Sequence, residues 1–282
     1  MMKPIKNMLV FETDFGRKET SVSAMYGVVK SVDRNIEIIE ATHELPPFDI
    51  YTASYRLWQA MEYWPAGTVF VSVVDPGVGT KRRACVALTE DGYYIVTPDN
   101  GSLTHVRRTY GIAAVREIDE TVNRRRGSEG TAVFHGRDLF GYCAARLTSG
   151  IITFEQVGPS YSPDEIVMLD IPSFSVTEGR AEGFIEIDDP NFGNLFTNIP
   201  IQEMLAHGFD YGDAVHTVIE NAGSTVYEAD LPLEPSFGAV SKGQPLLYNN
   251  ELMKVSLSIA EGDFMHTYGV HYGKDWHISL TK

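Results

Sequence analysis

Short apolar runs alternate, along the first half of the chain, with stretches whose apolar positions recur at helical spacing. This alternation limits the fold more than any other feature. Met8 to Phe11, Ile36 to Ile39, Val69 to Val74 and Tyr93 to Val96 are brief and almost wholly apolar, as strands buried on both faces are. Between them, Val22, Met25, Tyr26 and Val29 fall at i, i+3, i+4 and i+7. Ile50, Ala53, Leu57, Ala60, Met61 and Trp64 form a second stripe, and Leu139, Phe140, Cys143, Ala144 and Leu147 a third. Strand and helix in alternation predict an α/β N-terminal domain with a mostly parallel sheet covered by helices. From about Ser173 the texture changes to short strand-like pieces punctuated by Gly, Pro and Asn: Gly183 to Ile187, Ala214 to Glu220, Thr225 to Leu231, Leu246 to Tyr248, Val255 to Ile259 and Trp276 to Leu280. They predict a smaller, all-β, barrel-like C-terminal domain. The expected boundaries are 1–169 for the α/β domain, 170–179 for a linker and 180–282 for the barrel.

Composition removes several function classes. At 282 residues, 43% hydrophobic and 22% charged, the chain can bury a sizeable core, which excludes disorder. Its 23 Lys+Arg against 38 Asp+Glu leave a net charge of −15, which argues against a nucleic-acid partner or an anionic membrane surface. No apolar stretch approaches the roughly 20 residues that span a bilayer. The first eleven residues hold an apolar run of only four, shorter than the about 7–15 of a secretory leader. Cys85 and Cys143 are too few for a disulfide framework or a four-cysteine zinc site. The expectation is a soluble, cytoplasmic protein.

Three predicted strands end in polar, glycine-containing turns: Thr13-Asp14-Phe15-Gly16, Asp75-Pro76-Gly77-Val78-Gly79-Thr80-Lys81-Arg82-Arg83, and Thr97-Pro98-Asp99-Asn100-Gly101. Ligands of open α/β sheets bind beyond the carboxyl ends of strands, so three acidic turns there suggest one shared cleft. The second turn begins like a dinucleotide fingerprint, but Arg82 stands where the third glycine would be. Asp75 and Arg82 are of opposite charge, and a bidentate pair would rigidify the loop. His135, in Phe134-His135-Gly136-Arg137-Asp138, stands where a titratable side chain opens a helix. In the second half, Asp188-Asp189-Pro190-Asn191-Phe192-Gly193-Asn194-Leu195-Phe196-Thr197-Asn198 reads as a polar loop around an aromatic that could stack on a base. The remaining histidines match no tight metal-ligand spacing, so no metal is expected.

Taken together, the Thr13, Asp75, Pro98 and Phe134 segments and Phe192-Gly193-Asn194-x-x-Thr197-Asn198 resemble the S-adenosyl-L-methionine (SAM) hydroxide adenosyltransferases, adenosine-forming SAM hydrolases related to the SAM-dependent fluorinase and chlorinase. The likeness runs from about residue 8 to 270. It implies an α/β domain followed by a β-barrel, and a homotrimer with SAM bound between the N-terminal domain of one subunit and the C-terminal domain of the next. It implies that Asp14 holds the ribose hydroxyls and Ser21 the methionine part. An acid near Phe192, with Asn194, would hold the amino-acid group; Asp188 is the first choice and Asp189 the second. The hydrolase branch carries an Asp–Arg–His set, matched by Asp75, Arg82 and His135. The halogenase branch has Tyr where Asp75 stands. SAM is then substrate, and no cofactor is implied. The stretch from Tyr248 to Ala260 departs from the family's Asn-Ser-x-Gly pattern. That departure keeps open a non-catalytic SAM- or adenosine-binding protein; a SAM-dependent halogenase-like transferase is the other alternative, with Asp75 the feature against it.

Overall fold

In the computed structural model, residue 5 and residues 7–282 are described, and they form two compact units divided between Leu169 and Asp170. The first unit is built on seven strands: β1 (Met8–Thr13), β2 (Glu37–Thr42), β3 (Val69–Val73), β4 (Ala84–Thr89), β5 (Tyr94–Pro98), β6 (Ile112–Glu117) and β7 (Ser160–Tyr161). They lie in the order β2-β1-β3-β5-β4-β6-β7. β1 pairs parallel with β2 and β3, and β3 with β5. β4 pairs antiparallel with β5 and β6, and β6 with β7. Five strands thus point one way, and β4 and β7 the other.

The antiparallel insertion follows from chain length. β4 and β5 are joined by Glu90 to Tyr93, with Gly92 at φ +91°, a connection too short for anything but a hairpin. The helices are α1 (Ser21–Val32), α2 (Ile50–Met61), α3 (Thr104–Tyr110), α4 (Glu120–Asn123) and α5 (Tyr142–Thr148). Successive residues of β1 serve opposite faces of the sheet. Leu9 and Phe11 pack with Met25 and Val29 of α1 and Cys143 and Ala144 of α5. Val10 packs with Leu57 and Met61 of α2 and Val106 of α3. Both faces are therefore covered, as the apolar runs predict. The third stripe enters through one wider, π-helical turn, Gly136–Gly141, before α5 begins.

The second unit holds β8 (Ser175–Thr177), β9 (Arg180–Asp189), β10 (Asn194–Pro200), α6 (Ile201–Ala206), β11 (Ala214–Asn221), β12 (Ser224–Glu234), β13 (Pro245–Asn249), β14 (Lys254–Ile259), α7 (Phe264–Tyr268) and β15 (Trp276–Thr281). Their order is β10-β14-β13-β12-β11-β15-β9-β8, and β9 also pairs with β10. That extra pairing closes β9 to β15 into a seven-stranded barrel, filled by Ile185, Leu195, Val215, Ile219, Leu257 and Phe264 among others. Two details differ from the sequence reading. Ser175–Thr177, expected in a linker, is a strand paired with Arg180 to Glu182. The expected polar loop from Asp188 to Asn198 is instead the hairpin β9–β10, turning at Pro190 to Gly193. Polar side chains hid that strand because they are used internally. Thr197 Oγ1 donates to Val255 O at 2.7 Å, and Asn198 Oδ1 accepts from Phe184 N–H at 3.0 Å. Among the described residues no helix is long and apolar enough to cross a membrane.

Candidate active site

In the α/β unit, a cavity of about 270 Å³ is lined by Asp14, Phe48, Asp75, Val78, Phe134 and His135 among others. Each arrives from the end of an element. β1 delivers the turn that carries Asp14. The Thr13 hydroxyl accepts Phe15 N–H at 3.2 Å and meets His43 Nδ1 at 2.8 Å, while Gly16 N–H donates to His43 O at 2.7 Å. Asp14 Oδ2 accepts the Phe48 N–H at 2.9 Å. Burial raises the Asp14 pKa above the ordinary carboxylate value; the Phe48 N–H opposes this, and the Asp75 charge adds to it.

β3 delivers Asp75, and the following loop folds Arg82 back onto it. Arg82 Nε–H donates to both carboxylate oxygens, at 2.9 and 3.0 Å, and Nη2 also reaches Oδ2. Gly77 makes room for this, since a Cβ there would sit 3.2 Å from Arg82 Cγ. The pair is nearly closed to solvent, its side chains 5% and 10% exposed. Arg82 Nη2 also donates to His135 Nδ1 at 2.9 Å, and the guanidinium lies over the Phe140 ring at 5.1 Å. A guanidinium only donates, so Nδ1 accepts and the neutral ring carries its proton on Nε2. Burial, then the Arg82 charge, depresses the His135 pKa. Arg82 Nη1 has no hydrogen-bond partner among the described residues.

The three residues expected to act together are therefore in one hydrogen-bonded chain; Asp14 shares the cavity of Asp75 and His135, and Arg82 is not among its lining residues. The third acidic turn does not join them. Asp99 is buried, accepting from Tyr161 OH at 3.0 Å and Val167 N–H at 2.9 Å. Its neighbour Asn100 donates to Val74 O at 2.9 Å and so braces the end of β3. Ser21 opens α1, half-buried, with its N–H on the Glu19 carboxylate; it is not among the lining residues. Phe48 was not anticipated. It stands 71% exposed at φ +67°, held there beside Pro46 and Pro47 by its bond to Asp14. The two prolines were the available signal.

The barrel has its own cavity, of about 550 Å³, lined by Asp189, Phe192, Asn194, Phe196, Tyr248 and Ser258 among others. Asp189 and Asn194 face each other as the last pair of the β9–β10 hairpin. Asp188 is not among the lining residues; it is one position back, where a strand side chain points to the other face. Gly193 has φ +67°, and a Cβ there would fall 2.0 Å from Asp263 Oδ1, so only glycine fits this turn. Asn194 Oδ1 accepts from Ser258 Oγ at 2.6 Å. In the departing stretch, Asn250 is spent on the β13–β14 turn. Its Oδ1 accepts the N–H groups of Leu252 and Lys254, both at 2.9 Å. Among the described residues no group of three or more His, Cys, Asp or Glu is placed to hold a metal ion.

Comparison with known proteins agrees with this division. Residues 9–158 match the family model of the SAM hydroxide adenosyltransferase N-terminal domain, and residues 183–277 that of its C-terminal domain. The chain is 36% identical, over 219 residues, to a protein of Methanocaldococcus jannaschii named (R)-S-adenosyl-L-methionine hydrolase, covering 76% of this chain and 74% of that one. It is 24% identical, over 290 residues, to a protein of Actinopolyspora mzabensis named fluorinase, covering 94% and 95%. An uncharacterized conserved protein from Thermotoga maritima has the same fold, with a TM-score of 0.87 and 33% identity over 98% of this chain and 100% of that one.

Proposed function

Because the chain belongs to the SAM hydroxide adenosyltransferase family, we propose that it hydrolyses S-adenosyl-L-methionine to adenosine and L-methionine. The observation that carries this reading is the buried Asp75–Arg82–His135 chain with one guanidinium nitrogen left over. The sulfonium makes methionine a neutral leaving group. A water placed in line at the ribose C5′ forms the C5′–O bond as the C5′–S bond breaks. The electron pair goes to sulfur, and one proton is released per turnover. Water is a weak nucleophile, so the site must orient it and favour hydroxide character. Arg82 supplies the positive charge, Asp75 fixes its direction, and His135 holds its other edge. A carboxylate at position 75 also disfavours a halide nucleophile, since like charges repel in a dry site.

The remaining roles are part of the same proposal. Asp14 takes the ribose hydroxyls and Ser21 the methionine chain. Phe192 stacks on the base, and Asp189, in place of Asp188, joins Asn194 at the amino-acid group. SAM is the substrate, with no cofactor or metal. The active assembly is a cytoplasmic homotrimer in which neighbouring subunits complete one another's sites, and light scattering should give three times the chain mass. The test of function is incubation of the purified protein with SAM, with and without chloride, followed by chromatography. Adenosine and methionine forming equally in both supports the proposal. SAM left intact, or a chlorinated nucleoside product, rejects it.

A further inference from the structure

His135 has a second cation against it. Arg124, just after α4, places Nη1 3.3 Å from His135 Nε2. It is held there from the far side by four contacts. Nη1 donates to Glu120 Oε2 at 2.6 Å, Nε to Ser128 Oγ at 3.3 Å, and Nη2 to Ser128 O at 3.3 Å and to Thr131 O. Its side chain is 11% exposed. A neutral imidazole has one acceptor nitrogen, and two guanidinium groups face this ring. Arg82 has the shorter contact and takes Nδ1, so Nε2–H faces Arg124 without accepting from it. A second proton on the ring would remove the acceptor that Arg82 uses and set a third positive charge between two others.

We propose that Arg124 is a positioning residue that keeps a proton off His135 Nδ1, so that Arg82 stays aligned, and that Glu120 sets how strongly it does so. The charged groups facing the ring are Arg82 with its partner Asp75 on one side, and Arg124 with its partner Glu120 on the other. Asp14 shares the cavity, and Arg137 is turned away onto Asp138. Arg124 depresses the ring's basicity and Glu120 raises it, in the direction each charge requires.

The inference rests on the hydrolase reading, but its first test does not. Imidazole nitrogen NMR of the full chain, with the His135 signal assigned from His135→Gln, reads tautomer and titration without turnover. In Arg124→Gln the His135 titration should move to higher pH, and in Glu120→Gln to lower pH. Arg124→Lys should stay near the parent. A change that merely loosened the loop would move both Gln variants the same way, and that result, or no movement in either, overturns the proposal. With SAM, Arg124→Gln should lower the rate at pH 6 relative to pH 8 by about threefold or more, and Glu120→Gln should raise that ratio. Opposite NMR shifts in a protein that leaves SAM intact would sustain the role of Arg124 and sink the hydrolase reading alone.

Discussion

Arg82 makes four demands on its neighbours at once: both oxygens of Asp75, Nδ1 of His135 and the Phe140 face. Lysine could not meet all four together, because its ammonium lacks the planar fork that pairs with a carboxylate edge and lies over a ring. Arg82→Lys should therefore cost about a hundredfold or more in kcat with a small change in KM, read from steady-state SAM turnover. Asp14→Asn should divide the other way, raising KM by about tenfold while kcat falls less, since Asp14 is proposed to bind rather than to activate. Comparable kcat losses in both variants would remove that division of labour. Asp75, Arg82 and His135 were legible in the sequence because they sit in two short motifs, Asp75 and Arg82 in one turn and His135 in the Phe134-His135-Gly136 segment. Phe48 and Arg124 were not. Their positions depend on a backbone bond from residue 48 to Asp14 and on a contact between residues 124 and 135, and neither leaves a local pattern.

The strand β1 shows what an element carries beyond its apolar pattern. Its last turn inward, Glu12, is 2% exposed, with Ser72 Oγ donating to it at 2.6 Å. Burial pushes its carboxyl from 4.5 up to about 8. The folded chain thus holds a proton that the unfolded chain has already released, so folding loses stability as pH rises from about 4.5 to 8. Glu12→Gln should raise the Tm by several degrees at pH 8 and change little at pH 5. On the opposite face, fully buried His43 joins Thr13 Oγ1 to Tyr26 OH, at 2.8 and 2.7 Å, and its pKa is depressed by burial from 6.5 to about 4. Here the unfolded chain takes up a proton first, so stability falls as pH drops from about 6.5 to 4. Denaturant midpoints across that window should flatten in His43→Gln. The same elements show why the fold was readable only in part. Short, almost wholly apolar strands and striped helices announced themselves. β4, buried at every position, was passed over because its alanines weaken the strand signal, and β10 because its Asn and Thr side chains look like loop residues while satisfying buried backbone groups.

At the scale of the whole molecule, a single hairpin does two jobs. The β9–β10 pairing is the seam that turns an open sheet into a closed barrel, and the same hairpin presents Asp189, Phe192 and Asn194 to the barrel cavity. A molecule gripped by those three side chains is stapled across the seam. Occupancy should then be written into the backbone as slowed hydrogen–deuterium exchange at Ile187 and Phe196, which pair across the seam, while Val218 and Glu228 in the β11–β12 pairing exchange as before. Equal slowing at both places would mean that the ligand tightens the barrel as a whole. A slowing confined to the seam would make the ligand a clasp, and emptying the cavity the step that lets the barrel breathe.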